Sequence, residues 1–119
     1  MSFDLGVWSS ESTVAEHRAT QIYESLCRGE RPTELYPNPA IATFYQELTA
    51  KWPEIDSVPE EIDDTDICPW SCALSHSDTH VVMSCVWSKA EEVYQFVQDL
   101  AQKHCLVFYD PQSDEVYLP

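Results

Sequence analysis

The chain has 119 residues, 44% of them apolar, which is the size and composition of one globular domain able to bury a core without a metal or a disulfide. Its 21 acidic residues against 6 basic ones give a formal net charge of −15, a field that repels nucleic acid and anionic membranes and attracts cations and basic protein surfaces. Gly6 and Gly29 are its two glycines, which excludes the glycine-rich phosphate loops of P-loop and dinucleotide-binding proteins.

From the N-terminus, Phe3, Leu5 and Val7 alternate with Asp4 and Gly6 up to Trp8, a period of two that predicts a first strand. Thr13 with Glu16 has the form of a capping box, opening a helix with Ala15, Ala19, Ile22, Tyr23 and Leu26 on one face and Gly29 just past its end. Residues 30–39 form a proline-bearing connector. Asn38-Pro39 is a cap followed by a first-turn proline, and Ile41, Phe44, Tyr45 and Leu48 define a short amphipathic helix that Trp52-Pro53 ends. An acidic, irregular loop at about 53–70 follows, with its charge concentrated between Glu54 and Asp66.

Beyond the loop, Cys72–His76 predicts a short strand, Ser77-Asp78-Thr79 a turn, and His80–Trp87 a strand with apolar groups on both faces, covered on both sides. Ser88 with Glu91 forms a second capping-box pattern. Val93, Phe96, Val97, Leu100 and Ala101 then recur at helical spacing to about His104. Leu106–Tyr109, a turn at Asp110–Asp114 and Val116–Leu118 close a terminal hairpin. Setting the second helix aside, the order reads βαββαβ with a terminal strand added. The expectation is a single α+β domain over residues 1–119, with a ferredoxin-like, split-βαβ antiparallel sheet, helices on one face and an extra short helix.

Three segments carry a resemblance: Met1-Ser2-Phe3-Asp4-Leu5-Gly6-Val7-Trp8, Val82 to Val93 (VMSCVWSKAEEV), and His104 to Gln112 (HCLVFYDPQ). Together with Asp66-Ile67-Cys68-Pro69-Trp70 they resemble a family of small acidic bacterial proteins of no assigned activity. The resemblance implies a bacterial cytosolic protein and brings no catalytic residues. Proteins of this size and charge are also similar in kind to immunity proteins, which neutralise a cognate toxin domain. The chain carries more cysteine than the family pattern, so cysteine chemistry is not implied. Cys27, Cys68, Cys72, Cys85 and Cys105 are an odd number at irregular spacing. With no signal-peptide pattern at the N-terminus and no apolar run of about 20 residues, the expectation is a cytoplasmic protein with reduced thiols and no membrane contact.

Cys68, Cys72, His76 and His80, four residues apart each, offer two thiols and two imidazoles, a ligand set suited to zinc. On a strand, however, residues four apart lie about 13 Å from each other, and buried thiols with turn histidines are the alternative. Asp63, Asp64 and Asp66 fail the calcium-loop pattern, which needs Gly where Cys68 stands and Glu where Leu74 stands. Cys72 with His76, or Cys85 with His80, could pair for nucleophilic catalysis only if folding brings them together.

No catalytic motif or cofactor signature is present, and the leading expectation is a non-enzymatic binding module of the immunity or antitoxin kind. Trp52, Glu54, Asp56, Glu60, Glu61, Asp63, Asp64, Asp66 and Trp70 would meet a basic partner protein. The carboxylates would supply charge and the tryptophans apolar anchorage, or the tryptophans would pin the loop ends to the core. The alternative is a small-molecule binder or small enzyme with a pocket between the sheet and residues 38–51, lined by Cys85, His80 and Trp87.

Overall fold

In the computed structural model, residues 2–59, 61 and 64–119 are described. The chain is α+β, and its described residues form one open five-stranded antiparallel sheet and three α-helices. The elements are β1 (Ser2–Trp8), α1 (Ser12–Cys27), α2 (Pro39–Lys51), β2 (Ser75–His76), β3 (His80–Val86), α3 (Ala90–Lys103), β4 (Val107–Asp110) and β5 (Glu115–Tyr117). The strands lie in the order β2-β3-β1-β4-β5.

The register of β1 against β3 sets two chemically distinct faces. Phe3 faces Cys85, Leu5 faces Met83 and Val7 faces both Val81 and Phe108. This face is buried under α2 and α3 by Ile41, Phe44, Leu48, Val93, Val97 and Leu100. On the other face Trp8 and its partner Val107 pack with Tyr109 beneath Ala15, Ala19, Ile22 and Leu26 of α1. Gly6 lets α1 come close: a Cβ there would lie 3.1 Å from the Tyr23 ring and 3.3 Å from the Trp8 indole.

The expectation of helices on one face is therefore corrected: α1 lies on one side of the sheet, α2 and α3 on the other. The cause is the two-sided apolar character of β1 and β3. Leu5, Val7, Val81 and Met83 need cover on one side, Trp8 and Val82 on the other, and a sheet apolar on both faces must be covered on both.

Local signals were realised unevenly. Asn38 caps α2 as expected, its side chain accepting from the Ala40 N–H at 2.9 Å with Pro39 in the first turn, and Gly29 ends α1 in the left-handed region at φ 77°. Neither capping box forms. Helix α1 starts at Ser12 after Glu11, whose carbonyl accepts the first helical bond from Ala15, so Thr13 lies inside the helix. A 3-10 turn over Trp87–Lys89 precedes α3 and takes both Trp87 out of the strand and Ser88 out of the cap position. Strand β2 spans only Ser75–His76, leaving Cys72–Leu74 irregular.

The β4–β5 turn is organised by Asp110, which accepts from the Gln112 N–H (3.0 Å) and the Ser113 hydroxyl (2.9 Å). The Gln112 side chain reaches back to β1. Its Nε2 donates to the Asp4 carbonyl and its Oε1 accepts from the Asp4 N–H, both at 2.7 Å.

Candidate functional site

The acidic loop is tied down at both ends. Trp52, the residue after α2, packs edge-on against Trp70 at 6.0 Å and Phe96 at 5.1 Å. The Trp70 indole N–H donates to the Trp52 carbonyl at 3.1 Å, and Trp70 bridges to Cys85 beside β3. With 4% and 2% of their surfaces exposed, Trp52 and Trp70 are core residues. Their assignment as partner-facing anchors is corrected, because both indoles are spent closing the space between the loop and α3. Glu54 is structural as well: it accepts from the Tyr45 hydroxyl at 2.6 Å and the Leu74 N–H at 2.9 Å. Burial, and then Glu54 beside it, push the Tyr45 phenol up to about 12.

The remaining described acids of the loop face solvent. Asp56 sits in a 3-10 turn over Ile55–Ser57, and Asp56, Glu61, Asp64 and Asp66 are exposed. Asp64 orders the loop end by accepting from the Asp66 N–H through its side chain and from the Ile67 and Cys68 N–H groups through its carbonyl. Glu60 and Asp63 lie outside the described residues.

Asp66 pairs with Lys89, whose Nζ is also 3.7 Å from Glu92, and this pairing holds the Lys89 ammonium above its ordinary range. It sets the loop against the first turn of α3. Because α3 buries Val93, Val97, Leu100 and Ala101, its polar positions Glu91, Glu92, Gln95 and Asp99 are left outward. They line a groove of about 650 Å³ together with Lys51, Ser88 and Phe96. Across Glu91 and Gln95 lies a hollow of about 200 Å³ with Phe3, Ala90 and Tyr94. Trp87 stands beside it, 48% exposed and edge-on to Phe3 at 5.0 Å. The outer face of α3 and Trp87 are thus candidate residues that the sequence reading did not assign to partner binding. The signal for the helix face was present, in the acids between the apolar positions of α3.

Positive charge is consumed within the chain. Arg18 pairs with Glu34, Arg28 with Glu30, Arg31 with Asp78, Lys89 with Asp66 and Lys103 with Glu47. The sixth basic side chain, Lys51, lies over the rings of Trp52 and Phe96. His104 joins Lys103 at Glu47, 3.1 Å away, and its hydrogen bond holds that carboxyl below the usual range.

The thiol and imidazole groups are not assembled into a site. His76 pairs with Val81 and stacks on Tyr45 at 4.0 Å, on the α2 side of the sheet. His80 pairs with Trp8 on the α1 side, its Nδ1 2.8 Å from Ser77 Oγ and 3.2 Å from Thr79 Oγ1. The two imidazoles of the Cys68, Cys72, His76, His80 set therefore point to opposite faces, and no cluster of three or more ligating side chains occurs among the described residues. Cys68 instead donates to the Pro53 carbonyl. Cys85 is buried opposite His80 in facing direction, and burial pushes its thiol up to about 11. The pocket expected from Cys85, His80 and Trp87 is thus not formed: Cys85 lies under the helices, His80 on the far face and Trp87 in solvent. Among the described residues no helix is long and apolar enough to cross a membrane. No family model, no curated protein and no solved structure matches the chain.

Proposed function

We propose that this chain is an acidic protein-binding module, of the immunity or antitoxin kind, that inhibits a basic partner by docking on it. The observation that carries the reading is the division of charge. All six basic side chains are engaged within the chain, while exposed carboxylates run from Asp64 and Asp66 to Glu91, Glu92 and Asp99 beside an exposed Trp87. Such a surface steers a cationic partner and offers one aromatic group for apolar contact. A basic cleft that otherwise holds nucleic acid is a fitting counterpart, since carboxylates present the same sign of charge as phosphates. A bacterial, cytosolic setting and kinship with the small acidic proteins that the chain resembles belong to the same proposal. So does a split-βαβ origin for strands β1–β4, supported by the order β2-β3-β1-β4, with β5 added and α1 moved to the opposite face.

The test is capture from the native host's lysate at low and high salt, followed by binding kinetics on any basic protein retained. Replacing Asp64 and Asp66 by Asn should slow association several-fold at low salt and flatten its salt dependence, within the roughly 10- to 10³-fold range that steering supplies. An association rate unchanged at low salt overturns the loop's role. Failure to capture any basic protein, with the cognate toxin's producer included in the lysates, overturns the module reading.

A further inference from the structure

Lys51 ends α2 and is exposed, yet its ammonium is turned over two aromatic rings, 5.0 Å from the Trp52 ring centroid and 5.1 Å from that of Phe96. Both distances lie within the roughly 6 Å over which a ring face attracts a cation. Of the two rings Phe96 lines the groove, and Trp52, buried and packed edge-on against it, holds that ring in place from behind. The groove above carries Glu91, Glu92 and Asp99. The other five basic side chains each pair with a carboxylate, whereas Lys51 is the one seated on aromatic faces. Lys51 thus sets an ammonium over the ring of a groove that carries three carboxylates.

We propose that this groove is the subsite for an arginine side chain of the basic partner protein, with Lys51 as the internal placeholder that the arginine displaces. A guanidinium is the better occupant. It is planar and less strongly hydrated than an ammonium, stacks flat on an aromatic face and can present paired N–H groups to a carboxylate such as Asp99 or Glu92. Lys51 gives way readily because a flexible stem at a helix end holds it by ring contacts alone among the described residues. The proposal rests on the protein-binding reading above, and its test does not need the partner.

The isotope-labelled full chain is titrated with acetyl-Gly-Arg-Gly-amide, and separately with the same peptide carrying uncharged citrulline, while backbone amide shifts are followed. The arginine peptide should move the amides of Glu92, Phe96 and Asp99, and the citrulline peptide should not. Lys51→Met should tighten arginine-peptide binding roughly two- to five-fold, the scale of a cation–ring contact released. Lys103→Met removes equal charge at the Glu47 pair and should change it by much less. Asp99→Asn, an exposed position, should weaken it. Shifts spread evenly over the acidic surface, or equal effects of Lys51→Met and Lys103→Met, overturn the subsite. If that happens while Asp64→Asn with Asp66→Asn still slows capture of a basic protein, the subsite alone has failed; if no basic protein is captured, the module reading has.

Discussion

The two sides of the sheet are built differently. On one, a single helix with Ala15 and Ala19 in its buried stripe settles closely over Gly6 and Trp8. On the other, two helices bury larger side chains, Phe44, Leu48, Val93 and Val97 among them, and the loop ends at Trp52 and Trp70 are sewn into the same layer. The groove and the exposed acids of α3 belong to this second side. One side is closed by proximity and the other by volume.

This contrast can be broken experimentally. The largest expected effect is Phe44→Ala, which removes a fully buried ring between sheet and helices and should cost about 3–5 kcal/mol. On the α1 side Gly6→Val should cost about 1–3 kcal/mol by overpacking against Tyr23 and Trp8. Denaturant unfolding measures both, and a Gly6→Val cost above that of Phe44→Ala would reverse the ranking of the two sides.

A smaller effect is expected in alkali. The folded chain holds the Cys85 thiol from its ordinary 9.0 up to about 11 and the Tyr45 phenol from 10.0 up to about 12. Between pH 9 and 12 the folded state therefore binds more protons than the unfolded one, so stability should fall as pH rises through that window. Cys85→Ala should remove the part of the slope that begins near pH 9. Thiol labelling sharpens the same point: exposed Cys27, Cys72 and Cys105 should react in the native protein, and Cys85 only on unfolding.

Much of this architecture was legible locally. Helix α3 follows from the spacing of Val93, Val97, Leu100 and Ala101, and α2 from Asn38-Pro39, because these signals act within one or two turns of chain. Thr13 and Ser88 misled because a Ser/Thr with Glu three residues on marks a cap only if the helix begins there, and the 3-10 turn at Trp87–Lys89 moved that start. The helices' placement was implicit in β3: a strand apolar on both faces conflicts with helices on one. The tryptophans were the least legible part. Trp52 and Trp87 flank α2 and β3 and Trp70 forms an isolated bridge, and tertiary packing alone decides that Trp52 and Trp70 are buried and Trp87 is exposed.

Gln112 extends the sheet beyond the point where its backbone pairing stops. The ladder between β1 and β4 ends at Gly6 and Tyr109. Continued in register, Asp4 would face Pro111, which has no N–H to give. The first half of the central strand would then be a bare edge inside the sheet, a place for a foreign strand to add. The primary amide of Gln112 presents one donor and one acceptor side by side, as one residue of an antiparallel partner strand would, and occupies that berth. A single side chain thus acts as a counterfeit residue of β4, filling the place in the ladder that Pro111 cannot fill.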